Sequence, residues 1–413
     1  MGQVQHRRQA GPGPVARCRR RPRRRLAGPL LRPADGGDLM SVRRHTTARL
    51  ATALTATVLS SALGVAAAPP AAAANPTPTS WEAKALGLAS AQSTAQGEGV
   101  KVAVLDSGVM TNHVALNGKV TTGPDFLKDG LQPGDPRWGE HGTAMASDVL
   151  KVAPKASILS VRVIDDKEDH GPGDFKGGAS PTSQGIDYAV DHGADVISMS
   201  LGGEMFGDSV DEDEVDALAR AAQKGIPVIA SAGNEGDMFN DASYPAGYPG
   251  VIAVAATQQN GSRAEFSTVR TYNSVAAPGV AIMSAKNTGG YAPVNGTSPA
   301  AALTSGVVAL MLSHNDKLTP AQVRALLTKT ANHPAEGRNA LVGYGQIDAA
   351  AAVRASAKPP ADGTRPVKYS GKEHLATPDG TPKTQHPPLE TELGDDSASA
   401  RRASGCSWSS ARC

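Results

Sequence analysis

Residues 100–108 read Val100-Lys101-Val102-Ala103-Val104-Leu105-Asp106-Ser107-Gly108. A short, mostly apolar run closed by Asp-Ser-Gly has the length and composition of a strand buried in a parallel sheet and ending in a turn. The same kind of run recurs at Ile158–Ile164, Val196–Met199, Pro227–Ala230 and Val251–Val254. Between these runs the period changes to that of a helix. Ile186, Ala189 and Val190 share one face of Gly185–His192, and Val215, Leu218, Ala219 and Ala222 share one face of Val215–Gln223. Gly193 and Gly225 stand where helices stop. Strand–helix–strand repetition predicts an α/β protein of three layers, α/β/α, with a mostly parallel central sheet covered on both faces. Further on, Thr319-Pro320-Ala321-Gln322 is a capping box with proline at the first helical position. Gly343-Tyr344-Gly345-Gln346-Ile347-Asp348 leads into a short alanine-rich helix ending near Ala355.

Composition divides the chain. It has 413 residues and a net charge of +2, but residues 1–39 hold ten arginines against Asp35 and Asp38, a net of +8. Arg43, Arg44 and Arg49 add three more positive charges before Ala74, so the remainder carries −9. A balance of that sign does not belong to a general nucleic-acid binder, and no nucleic-acid partner is expected. Residues 1–39 read as an upstream leader, and Met40 as the better start. A basic stretch, an apolar stretch from Leu50 to Ala68 and the small residues Ala71–Ala74 then lay out a secretory signal peptide over 40–74. The apolar part is short for a membrane span and rich in Ala, Thr and Ser, so cleavage and export are expected, with no stable span afterwards. A polar approach segment is expected over 75–99, the main domain over 100–357, and a disordered proline-rich tail over 358–413. Cysteine occurs only at 18, 406 and 413. The main domain therefore has neither a disulfide staple nor a thiolate for zinc or nucleophilic chemistry.

Four short blocks carry polar residues that invite chemistry. Asp106 closes a strand, where open α/β sheets place their sites, although Asp before Ser-Gly also suits a plain turn. No G-x-G-x-x-G follows it, which weakens a nucleotide-binding reading. His141, in Glu140-His141-Gly142-Thr143-Ala144, stands at a helix start. Asn234, in Ser231-Ala232-Gly233-Asn234-Glu235-Gly236, is a turn residue or an amide donor. Ser298, in Asn295-Gly296-Thr297-Ser298-Pro299-Ala300, opens a long apolar helix, as an ordinary N-cap or as a nucleophile positioned by that helix. Acyl transfer needs a hydroxyl, a base for its proton, a carboxylate that orients the base and donors for the developing oxyanion. All four parts are present, in the order Asp, His, Asn, Ser.

Asp-Ser-Gly, His-Gly-Thr, Ala-Gly-Asn-Glu-Gly and Gly-Thr-Ser-x-Ala in this order resemble the subtilisin family of serine peptidases, over about Trp81 to Val353. The resemblance implies a subtilisin-like fold and a secreted, extracytoplasmic endopeptidase. Ser298 would be the nucleophile, His141 the general base and then acid, and Asp106 the residue that orients His141. Asn234 and the Ser298 N–H would form the oxyanion hole, with Ser200-Leu201-Gly202-Gly203 and Gly233 along the substrate cleft. The short connection from His141 to Pro154 removes a loop where many relatives bind calcium, so no cofactor is required, and a structural calcium stays open without support. The expected partner is a protein or peptide substrate met by a monomer. The short stretch between signal and domain, with the proline-rich tail, is similar to the mycosin branch linked to type VII secretion. A scaffold of such an assembly, its peptidase activity dispensable, is the alternative function. An esterase of the α/β-hydrolase type would want G-x-S-x-G and the order Ser, Asp, His, and neither is present. The acidic run Asp208 to Asp216 reads first as a solvated helix start, where negative charge suits the helix dipole.

Overall fold

The apolar runs become strands and the helical periods become helices in the computed structural model, which describes residues 80–166, 179–204 and 211–367. The expected leader over 1–39, the signal segment over 40–74 and the tail beyond residue 367 lie outside the described residues. In chain order, α1 (Trp81–Ala85), α2 (Leu88–Gln92), β1 (Lys101–Asp106), β2 (Val120–Asp125) and α3 (Glu140–Val152) come first. Then follow β3 (Ser157–Arg162), α4 (Pro181–Asp191), β4 (Val196–Met199), β5 (Gly203–Glu204), α5 (Glu212–Gln223), β6 (Val228–Ser231) and β7 (Ser243–Tyr244). The C-terminal part supplies β8 (Ile252–Thr257), β9 (Asn273–Pro278), β10 (Ile282–Ala285), β11 (Tyr291–Val294), α6 (Thr297–His314), α7 (Pro320–Thr330) and α8 (Ala349–Ser356).

Seven strands form one sheet in the order β2-β3-β1-β4-β6-β8-β9, and every neighbouring pair is parallel. β1 lies where the order reverses, with β3 on one side and β4 on the other, so its C-terminal end opens onto the crevice that such sheets use for ligands. Two apolar clusters cover the sheet. One joins α3, α6, α7 and α8 to one face, and the other joins α4 and α5 to the opposite face. The α/β/α expectation is met. From Thr297 to Leu312 every residue of α6 is buried except Ser298, as suits a helix apolar on all sides. The hydroxyls of Thr304 and Ser305 turn to the helix's own carbonyls, and Ser305 Oγ also reaches Ser198 Oγ of β4 at 2.8 Å.

Two stretches differ from the expectation. The approach segment is part of the core from residue 80 onward. Leu86, Leu88 and Ala91 are buried, and Trp81 Nε1 donates to Val280 O at 3.1 Å. Lys151 of α3 also reaches Glu82 at 3.2 Å, Asp148 at 3.1 Å and Met283 O at 2.8 Å. Polar composition concealed this, because two five-residue helices bury only a few apolar side chains each. The first residues of the expected disordered tail are likewise ordered against α7. Gln322 Nε2 donates to Pro360 O and Thr319 Oγ1 to Asp362. The capping box at Thr319 forms in full. Among the described residues no helix is long and apolar enough to cross a membrane.

Candidate active site

Asp106 is the last residue of β1 and wholly buried. Its two carboxylate oxygens lie 2.8 and 3.0 Å from His141 Nδ1, so in the neutral ring the proton belongs on Nδ1 and Nε2 is the basic nitrogen. Two more contacts tie the same segments together. Gly142 N donates to Ser107 Oγ at 3.1 Å, and Met110 N to Thr143 Oγ1 at 2.8 Å. His-Gly-Thr is thus laid rung by rung against Asp-Ser-Gly. The glycine is a steric requirement, because a Cβ at position 142 would stand 2.1 Å from Gly108 O and 3.1 Å from Asp106 Cβ. Gly139, which caps α3, has φ +67, and a Cβ there would meet Gly108 O at 2.6 Å.

The His141 side chain keeps 31 % of its surface open. Burial disfavours its cation, but Asp106, together with Asp166 and Asp148, outweighs that penalty and raises the His141 pKa from 6.5 to about 9. Asp166 was not singled out from sequence. It follows β3 and accepts from Glu140 N at 2.7 Å and His141 N at 3.2 Å. The only sequence signal for it is an acidic residue just beyond a buried strand at the same edge of the sheet. Its neighbour Asp165 is engaged differently, by the buried Arg162, which also holds Asp125 and Asp129 and so ties the chain before α3 to β3.

Ser298 lies in the first turn of α6, but it is not the cap, which is Gly296. The reading of Ser298 as an ordinary N-cap is therefore set aside. Its hydroxyl donates to Ser200 O at 3.1 Å, and Ser200 Oγ donates back to Ser298 O at 2.9 Å. β1 and β4 pair Val104 with Ser198, and Asp106 and Ser200 each follow two residues further on, Ser200 just past the end of β4. The Asp106–His141 and Ser200–Ser298 pairs therefore both lie at the C-terminal end of the central strands. The hydroxyl is held on the Ser200 carbonyl in this conformation.

Asn234 completes that edge. Its Oδ1 accepts from Thr297 N at 2.9 Å and Thr297 Oγ1 at 3.0 Å, and Gly233 N donates to Thr297 Oγ1 at 3.2 Å. Asn234 is exposed, and with the carbonyl end of its amide engaged, Nδ2 is the end left for a ligand. Of the expected cleft residues, Gly202 and Gly233 converge on Ser243. A Cβ on Gly202 would lie 2.0 Å from Ser243 Oγ, and one on Gly233, at φ +105, would lie 2.9 Å from Ser243 Cβ. The Leu201 side chain packs into the core on the α4–α5 face, so only its backbone is available at that edge. The acidic run does start a helix, with Asp211 capping α5 through Glu214 N at 3.0 Å. Glu214 is half-buried, however. Burial and the charge of Asp211 raise its pKa to about 7.

The subtilase family model, peptidase S8, matches residues 97–345. Thermitase from Thermoactinomyces vulgaris is 39 % identical over 246 residues, spanning 58 % of this chain and 83 % of that protein. The solved structure of MycP1 from Mycobacterium smegmatis aligns with a TM-score of 0.56 at 27 % identity, covering 67 % of this chain and 86 % of that one. The structure of MycP3 protease from the type VII (ESX-3) secretion system aligns with a TM-score of 0.57 at 30 % identity, covering 66 % and 88 %. The match takes in more than half of the chain and every element around the Asp106–His141 and Ser298–Asn234 edge: this chain belongs to the subtilase family and is a subtilisin-type serine endopeptidase.

Proposed function

We propose that the chain is an exported endopeptidase that cleaves peptide bonds through an acyl-enzyme on Ser298, with His141 as base and Asp106 as its orienting carboxylate. The observation that carries this reading is the buried Asp106 carboxylate, bonded to His141 Nδ1 across the strand edge from the carbonyl that holds the Ser298 hydroxyl. Rotation about the Ser298 Cα–Cβ bond would release Oγ from Ser200 O toward His141 Nε2. The imidazole takes the hydroxyl proton as Oγ attacks the scissile carbonyl carbon, and Asp106 stabilises the imidazolium. The proton then passes to the departing amine, and water repeats the sequence to free the acyl group.

The oxyanion would lie between Asn234 Nδ2 and the N–H of Ser298. That N–H belongs to the first turn of α6, where backbone donors have no partner inside the helix. Ser200–Gly202 and Gly233 would flank the bound peptide. The chemistry needs no resident cofactor or metal. Export is supported by the signal-like layout of residues 40–74, and association with a secretion system by the likeness to MycP1 and MycP3.

A serine-directed phosphonate should label Ser298 in the folded chain and leave Ser298→Ala unlabelled. Failure to label folded protein overturns the mechanism. The scaffold alternative gains if Ser298→Ala leaves the cellular phenotype intact while deletion of the domain abolishes it.

A further inference from the structure

We infer that Asp166 is a positioning residue for His141, a second carboxylate that fixes the helix start carrying the imidazole and sets negative charge beside its cation. The inference deepens the proposed peptidase mechanism and rests on it.

A helix start normally finds its capping oxygen on the residue just before the first turn. α5 and α8 do this with Asp211 and Asp348. α3 cannot. Its cap position must be glycine, because it takes φ +67 and a Cβ there would strike Gly108 O. Gly139 has no side chain to offer, so the first N–H groups of α3 need acceptors from elsewhere. Asp166 supplies them from the segment after β3, with Oδ2 on Glu140 N at 2.7 Å and Oδ1 on His141 N at 3.2 Å. The next two are met by Ser107 Oγ on Gly142 N and Gly139 O on Thr143 N. Ser107 also holds the Asp166 pKa down, which links the cap to the residue after Asp106.

His141 is thus gripped twice, by Asp106 at the ring and by Asp166 at the backbone. The charged groups acting on the imidazole are Asp106 from β1, Asp166 from beyond β3 and Asp148 from farther along α3, where Lys151 and Ser284 already engage Asp148. Glu140 precedes His141 on its own helix and is exposed. Of the carboxylates other than Asp106, Asp166 is the one bonded directly to the His141 residue. Its charge also works against itself, since burial, and then the nearby Asp106, push its own pKa upward while its donors hold it down.

The test compares the full-length chain with Asp166→Asn, counting active sites with the phosphonate and following the His141 ring by NMR as pH is varied. The expected result is a kcat per labelled site lower by up to about 10²-fold, the loss that an ångström of misplacement can cause. KM should hardly change, because no substrate contact is lost. Both the acid limb of kcat/KM and the ring titration should move to lower pH, since a negative charge that favours the imidazolium is gone. Asp166→Ser keeps a neutral capping oxygen and must shift the titration in the same direction, which covers poor folding of the Asn variant. A ring titration at the wild-type pH in both variants overturns the assignment, for a cap of purely structural use would alter stability without moving the titration. Failure of the wild-type chain to label at Ser298 would instead sink the peptidase reaction, and the ring titration reads Asp166 independently of it.

Discussion

Two helix starts meet at the active edge, and they are finished in opposite ways. α3 begins with every early N–H filled, two by the carboxylate of Asp166, one by Ser107 and one by Gly139. α6 begins with a glycine cap, no side-chain cap and no acid in its first turn. Asn234 takes the Thr297 N–H, and among the described residues no acceptor lies on that of Ser298. The closed start holds a base still and favours its cation. The open start leaves a backbone donor and a helix dipole facing the place where a negative oxygen would form. Helix ends are ordinarily completed for stability, so an end left uncapped beside a nucleophile suits a site that completes itself on the substrate.

That contrast can be broken from the open side first. Ser298→Ala should lower turnover by about 10⁶-fold, the size this loss has in a subtilisin, with the thermal transition little changed because Gly296 and not Ser298 caps α6. Active-site counting and a melting curve check both halves. Asn234→Ala should cost roughly 10²–10³ in kcat, again the size known for a subtilisin, with KM nearly constant because the oxyanion exists only in the transition state. The closed side should fail differently. Gly142→Ala places a methyl against Gly108 O and should destabilise the fold by about 1–3 kcal/mol or more, as overpacking does, measurable by denaturant unfolding.

The gentlest probe is pH. The base must be neutral to work, so kcat/KM should rise with pH along a limb lying alkaline of 6.5, in keeping with the raised His141 pKa. Stability should run the other way. A pKa raised on folding contributes in full below 6.5 and is lost as pH climbs through the folded value near 9, so the carboxylate–imidazolium share of stability fades where activity appears. Unfolding of the wild type and Asp106→Asn across that range measures the difference.

Much of this was legible before folding. Asp106, His141, Asn234 and Ser298 each lie in a block whose local grammar marks a strand end, a helix start or a glycine turn. The capping box at Thr319 was equally plain, because both its hydrogen bonds span three residues. β2 and β9 were harder. The edge strand Val120–Asp125 is half exposed and carries Gly and Pro, and Asn273–Pro278 opens with two polar residues whose burial depends on distant partners. Asn273 Nδ2, for instance, reaches Thr268 O and Ala340 O. Asp166 was silent for the same reason. It lies 25 residues from His141, and nothing near it in the chain needs a carboxylate.

The sequence by itself determined the layer order, the helix and strand periods and the four blocks that supply an acid, a base, a donor and a hydroxyl, since all of these are written in spacings of a few residues. Only the tertiary structure decided which carboxylate meets the ring, which meets the helix start, and that the serine hydroxyl waits on Ser200. Those pairings join residues 25 to 98 apart in the chain, and their geometry comes from the register of neighbouring strands and from glycines that let the backbones touch.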